Sequence, residues 1–391
     1  MKNRLRVGVL FGGRSGEHEI SLLSAASILK AIDRTRFEVI PIGIAKNGRW
    51  LISAAAERLL NGKEAKTEGR PAGALESGTA RAPDQAKDRR ALPPPGEGVI
   101  VPASPGKDIP SLDVVFPVLH GTFGEDGTIQ GLLDLAGLPY VGSGVLGSAT
   151  GMDKEIMKRL FSAAGLPIVR HVTFLRQEWR LNPRKIVARL ESRLRYPVFV
   201  KPANLGSSVG INKAHDRKEL APAIEEAAGY DRKIVVEQGV GRRSRNGKPA
   251  RARELEVAVL GNDSPEASVV GEVVPAKEFY DYEAKYLTEG SRAIIPAKLT
   301  GRQTKQVRAM ALAAFRACDC SGLARVDFLM EPTAAGKIYV NEINTMPGFT
   351  SISMYPKLWQ ASGWSYSDLI SRLIELALER AAEREQTSYS R

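Results

Sequence analysis

The chain has 391 residues, 43% of them hydrophobic and 26% charged, with a formal net charge of +12. That is the balance of an ordinary soluble protein with room for about two or three domains, and no apolar run reaches the roughly 18 residues that a membrane helix needs. The two cysteines, Cys318 and Cys320, are too few for a disulfide framework and too close for an easy mutual bridge, so reduced thiols near the core are expected. No small-residue cleavage site follows Met1–Arg6, so a cytoplasmic location without a secretory signal is expected.

Leu5 to Phe11 reads as an apolar strand, followed by Gly12-Gly13-Arg14-Ser15-Gly16-Glu17 and a helical pattern from about Ile20 to Ile32. A strand, a glycine loop and a helix in that order open a doubly wound α/β domain. The G-x-G-x-x-G spacing of a dinucleotide site is missing, which argues against a dehydrogenase. Asn61 to Pro110 is rich in Gly, Pro, Ala, Lys and Glu without periodicity and reads as a long variable insertion. Order resumes with a strand from Val114 to Leu119 and the glycine-punctuated loop His120–Gly127. Asp153 is placed to cap a helix that runs to about Ala164 and closes at Gly165 and Pro167.

The next strand, Tyr196 to Lys201, ends at Pro202 and enters a loop containing Gly206-Ser207-Ser208-Val209-Gly210. This matches the nucleophile elbow G-x-S-x-G, but the only histidine beyond Ser208 is His215, too near to complete a triad. A Gly/Ser loop surrounding an anion fits better, with Lys201 beside it. Ile234 to Glu237 is a short strand. Gly241 to Arg253 then holds six cations and no acid in thirteen residues. Such a run reads as a solvated loop, and the absence of interleaved aromatics weakens a nucleic-acid reading.

Glu254 to Leu260 alternates as a strand. Phe279 to Tyr286 mixes aromatic and charged residues, and spacing alone leaves a surface helix and a mobile lid equally open. Leu323 to Met330 and Tyr339 to Ile343 read as two neighbouring strands. Side chains two apart on a strand share a face, so Glu342 and Asn344 present a carboxylate and an amide oxygen together, a half-cage for a hard cation. Asp327 adds a carboxylate with Arg325 beside it. Pro347-Gly348 ends this stretch in a turn. The last segment, Tyr366 to about Glu383, is an amphipathic helix.

In chain order, the segments Gly12-Gly13-x-Ser15-x-Glu17-x-Glu19-Ile20-Ser21, His120-Gly121, Gly124-Glu125-Asp126-Gly127, Met152-Asp153-Lys154, Val200-Lys201-Pro202, Gly206–Gly210, Tyr282-Glu283-Ala284-Lys285-Tyr286, Arg325-Val326-Asp327, Asn341–Thr345 and Pro347-Gly348 stand along nearly the whole sequence. Together they resemble the D-alanine–D-alanine ligases of the ATP-grasp superfamily, and only the Asn61–Pro110 segment and the basic run fall outside the match.

The resemblance implies an ATP-grasp fold: a doubly wound N-terminal α/β domain (1–150) and two α+β units (151–240 and 241–391) that clamp ATP between them. It implies Lys154 and Lys201 on phosphates, Glu237 and Val240 near the adenine, and Glu254 on the ribose. Asp327, Glu342 and Asn344 would hold two Mg²⁺ ions, for which Mn²⁺ can substitute. Glu17, with His120 close by, would anchor the first D-alanine, and Ser207 and Tyr286 would join Glu17 in a triad tying down a lid. Arg325 and the Gly348 N–H would stabilise an oxyanion, while Lys285 and Ser353 would face the γ-phosphate and the second substrate.

The implied reaction is ATP-dependent joining of two D-alanines through an acyl phosphate for peptidoglycan precursor synthesis, by a homodimer without membrane or nucleic-acid partners. D-Serine and D-lactate are the alternative acceptors. Tyr286 favours D-alanine, because ligases that make D-alanyl-D-lactate lack this lid tyrosine.

Overall fold

The computed structural model describes residues 4–62, 111–206, 209–243, 249–275, 292–333 and 336–388. Most of the expected insertion, the middle of the basic run, and Ser207, Lys285 and Tyr286 lie outside these residues.

The first layer is a four-stranded sheet in the order β3-β2-β1-β4, with β1 Leu5–Gly12, β2 Phe37–Ile44, β3 Trp50–Ile52 and β4 Val114–Val118. β1 pairs in parallel with β2 and with β4, whereas β3 is antiparallel to β2. Helices α1 His18–Ala31, α2 Ala54–Leu60, α3 Thr128–Leu135 and α4 Val145–Met152 complete the unit. Parallel strands covered on both faces read as continuous apolar runs, and Val7 to Phe11 and Val114 to Val118 follow that pattern.

The second sheet is antiparallel, in the order β5-β8-β6-β7, from β5 His171–Leu175, β6 Val198–Pro202, β7 Asn212–Ala214 and β8 Lys233–Gln238. Its core is filled by α6 Arg176–Leu181, α7 Pro183–Arg193 and α8 Arg217–Tyr230. The third, also antiparallel, runs β13-β12-β11-β14-β15, from β11 Arg253–Gly261, β12 Glu266–Val274, β13 Arg292–Ile294, β14 Gly322–Met330 and β15 Ile338–Asn344. Its apolar face meets α5 Lys154–Ala163 and α9 Gly301–Ala317. The polar faces of the second and third sheets line one cleft.

Two connections bind these layers. Although α5 precedes the second sheet in sequence, its Met157 and Phe161 are buried with Val257, Val326 and Ile343 of the third. After the short α10 Met354–Gln360, the final helix α11 Tyr366–Arg384 returns to the first layer, where Leu369, Leu373 and Ile374 share a core with Val7, Phe11 and Phe116.

The basic run is not the plain solvated loop expected from its composition. β9 Gly241–Arg243 pairs antiparallel with β10 Pro249–Arg251, and Arg253 opens β11, where Glu272 accepts two hydrogen bonds from its guanidinium. Both cysteines are buried and free, as expected.

Asp153 caps α5 as its position suggests, accepting hydrogen bonds from the Glu155 and Ile156 N–H groups and pairing with Lys233 at 2.7 Å. Asp153→Ala should therefore cost about 2 kcal/mol of unfolding free energy in urea titration, and Asp153→Ser, which restores the cap without the ion pair, should recover about half of it.

Candidate active site

The central wall of the cleft is cationic and organised by one carboxylate. Glu237 on β8 lies opposite Phe199 on β6, so its side chain emerges next to that of Lys201. Lys201 Nζ stands 2.8 Å from one Glu237 oxygen, and Lys158 Nζ of α5 stands 3.0 Å from the other. Burial alone would push the Glu237 carboxyl up, but the two ammonium groups override it and hold the pKa down at about 2. Burial also pulls Lys201 down, yet Glu237 and Glu342 outweigh it and keep that ammonium above the usual lysine value. Lys154 and Lys158 are depressed, chiefly by burial. Lys154 donates to the Leu205 carbonyl at 2.7 Å, at the entrance of the glycine loop.

The opposite wall is acidic. On β14, Ala324, Val326 and Phe328 face the core while Arg325 and Asp327 face the cleft. Cross-strand register places Glu256 of β11 and Glu342 of β15 on either side of Asp327, and Asn344 opposite Arg325. Arg325 grips Asp327 through two hydrogen bonds of 2.7 and 2.6 Å and approaches Glu256 at 3.2 Å.

This alignment depends on a β-bulge. Phe328 pairs with Val340 but Asp327 pairs with Glu342, so Asn341 is the extra residue. Ile338 and Val340 point into the core, and beyond the bulge Ile343 does so instead. Without it, Glu342 and Asn344 would face the apolar layer.

At one end the cleft meets the first layer. Glu17 immediately precedes α1, and a Cβ on Gly121 or Gly206 would come within 2.6 or 2.8 Å of its Oε2, so only glycine admits the carboxylate there. Buried His120 bridges two elements: its Nδ1 is 3.0 Å from the Met346 carbonyl oxygen and its Nε2 is 3.1 Å from Ser24 Oγ. Burial would depress this imidazole, but Glu125 and Glu17 outweigh it and raise its pKa. Ser24 Oγ also accepts from the Phe349 N–H, so the turn carrying Gly348 is fastened to α1 from both sides.

Glu17, His120, Lys154, Arg325, Glu342, Asn344, Gly348 and Ser353 all line one cavity. Lys201, Glu237, Val240, Glu254 and Asp327 line an adjoining one, and Glu256, Arg325 and Glu342 border both. Of the site residues expected from sequence, Ser207, Lys285 and Tyr286 lie outside the described residues. Lys158 and Glu256 were not anticipated. The periodicities that mark them are plain: Lys158 follows Lys154 by one helical turn, and Glu256 follows Glu254 by two residues on a strand.

Among the described residues, no group of three or more His, Cys, Asp or Glu forms a metal cluster alone. The donors present are nevertheless all hard oxygens. Asp327 and Glu342 face each other across the strands, Asn344 lies beside them, and the buried Asn341 Oδ1 has no hydrogen-bond partner among the described residues. Such a set fits Mg²⁺ whose remaining ligands come from a bound phosphate.

Two sheets closing on a cleft with lysines on one wall and carboxylates on the other define an ATP-grasp enzyme. Family models described as the D-ala D-ala ligase N-terminus and C-terminus match residues 6–143 and 160–375, and the chain belongs to that ligase family. It is 49% identical over 386 residues to a D-alanine–D-alanine ligase from Natranaerobius thermophilus, covering 98% of each chain. Among solved structures, a D-Ala:D-Ser ligase from Enterococcus faecalis superimposes with a TM-score of 0.75 at 34% identity, covering 96% of this chain and all of that one. A D-alanine–D-alanine ligase from Coxiella burnetii gives 0.73 at 36% identity, with 98% and 96% covered.

Glu237 also has a consequence for acid stability. Its carboxyl pKa is lowered on folding from 4.5 to about 2, so the stability it confers is complete above 4.5 and is lost as pH falls toward 2. Glu237→Gln should therefore flatten the fall in urea midpoint between about pH 4.5 and 2 relative to the unsubstituted protein.

Proposed function

We propose that the protein uses ATP to join two D-alanines into D-alanyl-D-alanine, releasing ADP and phosphate, as a step of peptidoglycan precursor synthesis. The observation that carries this reading is the pair of adjoining cavities. One is flanked by Lys201 and Glu254, the other is capped by Glu17, and Glu256, Arg325 and Glu342 border both. A nucleotide in the first would direct its terminal phosphate at an amino acid in the second.

The chemistry follows from charge. Glu17 is the carboxylate that would receive the ammonium of the first D-alanine, with His120 fixing the turn behind it. The substrate carboxylate then faces the γ-phosphate and attacks it, forming an acyl phosphate and ADP. Lys154 and Lys201 offset the charge on the phosphates during transfer. Asp327, Glu342 and Asn344 would hold Mg²⁺, which when bound supplies neutralisation of phosphoryl charge.

The amine of the second D-alanine next attacks the acyl carbon, and inorganic phosphate leaves. Arg325 and the Gly348 N–H are the donors for the tetrahedral oxyanion, a contribution of roughly 3–4 kcal/mol per donor in comparable sites. Ser353 would orient the second carboxylate, and Lys285 would add charge at the γ-phosphate. Water would destroy the acyl phosphate, so Ser207 and Tyr286 are assigned to a lid held through Glu17.

Both Glu237 oxygens face ammonium groups, so Glu237 acts on the nucleotide by holding lysines, and the backbone near Val240 is left to meet the adenine. Exposed Phe123, Leu132, Leu135, Val145 and Leu146 around α3 and α4 support a homodimer joined through the first layer. No helix among the described residues is long and apolar enough to cross a membrane, which is compatible with a cytoplasmic enzyme.

ADP release measured with single amino-acid substrates tests the reading. D-Alanine alone should sustain turnover, D-serine or D-lactate added as acceptor should not outcompete it, and L-alanine should give no release. Asp327→Asn and Glu342→Gln should each lower kcat by about a hundredfold and raise the Mg²⁺ concentration needed for half-maximal rate. Normal turnover and Mg²⁺ dependence in both variants would remove the metal assignment.

A further inference from the structure

Lys154 and Lys201 open onto the cleft, but Lys158 does not. It is fully buried and borders neither cavity, so it touches no substrate placed there. Its immediate helix neighbours Met157 and Phe161 belong to the apolar core beneath the third sheet. An ammonium is a costly occupant of such a position, which a methionine would fill without desolvation. Its partners explain its presence. It stands 3.0 Å from Glu237 Oε1 and donates to the Asn341 carbonyl at 3.2 Å, at the bulge that turns Glu342 toward the cleft.

We propose that Lys158 is a positioning residue for nucleotide binding, which neutralises Glu237 so that Lys201 keeps its charge available for the phosphates. Lys158, Glu237 and Lys201 together carry one surplus positive charge. Remove Lys158, and Glu237 and Lys201 become a closed pair. Lys201 could then reach a phosphate only by leaving a buried carboxylate without a counter-charge. The contact with Asn341 fixes this ammonium to the opposite wall, so one buried cation sets the lysine side and the carboxylate side of the cleft in register. The inference rests on the nucleotide site proposed above.

The test is calorimetric titration of the full chain with ADP in the presence of Mg²⁺, using Lys158→Met, Glu237→Gln and the double variant. Lys158→Met should weaken ADP binding roughly ten- to a hundredfold, with the nucleotide KM rising more than the D-alanine KM. The double variant removes both charges of one pair and should return ADP affinity to within about threefold of the unsubstituted protein. A lysine that only filled space would give no such recovery, because methionine is present in both variants.

ADP affinity unchanged in Lys158→Met, or a double variant as weak as the single one, would overturn the proposal. If Lys158→Met does not yield folded protein, the double variant decides, and ADP binding more than about tenfold weaker than normal rejects the idea. An unsubstituted protein that binds ADP but releases none from ATP with D-alanine would sink the ligase reading while leaving this one intact. Absence of ADP binding by the unsubstituted protein would overturn the role of Lys158 as well.

Discussion

Glu237 is 3% exposed, and its two oxygens meet ammonium groups delivered by different parts of the fold. Lys201 arrives on the neighbouring strand of the same sheet, whereas Lys158 arrives on a helix packed beneath the other sheet. In a low-dielectric interior, neither the carboxylate nor either lysine would be tolerated alone. The three must be assembled together, and assembling them brings the walls of the cleft face to face. The cleft is thus as much a product of buried charge as of apolar packing.

The facing wall obeys a different constraint. A strand alternates strictly, so carboxylates that line a cleft must be two residues apart and out of phase with the core residues between them. β15 satisfies the core first with Ile338 and Val340, then changes phase at Asn341, so that Glu342 and Asn344 join the row begun by Glu256 and Asp327. One inserted residue converts a strand that would have ended in the core into one that ends in the site. The turn that follows is held by Ser24 and His120 of the first layer, which fixes the Gly348 backbone relative to Arg325.

Much of this was legible in the chain. The apolar run from Leu5 to Phe11, the alternating strand from Leu323 to Met330 and the Asp153 cap were readable from periodicity and capping chemistry. So was the pairing of Glu342 with Asn344 on one side of a strand. Which side was not readable, because a bulge changes the phase without leaving a mark in the residue types. The helix Gly301–Ala317 has a Thr300 cap but no glycine loop or chemistry-bearing motif, so only a plain amphipathic period marks it in the sequence. Lys158 and Glu256 lacked a motif of their own. A basic run containing glycine and proline resembled a loop, yet Arg253 pairs with Met330 in the third sheet and finds its partner in Glu272.

The return of α11 to the first layer bears on how the molecule is made. Arg36 pairs with Glu375, Arg380 donates to the carbonyls of Tyr140 and Gly142, and Arg384 pairs with Asp134, so the last helix is fastened to the first layer along its length. Each large side chain it buries is worth roughly 1.5–3 kcal/mol, and Leu369, Leu373 and Ile374 share the core of β1 and β4. Those contacts join segments far apart in sequence, so forming them closes large loops. The seam between α11 and the first layer is therefore a slow step of folding with high contact order, and until it forms the apolar faces it covers are open to aggregation.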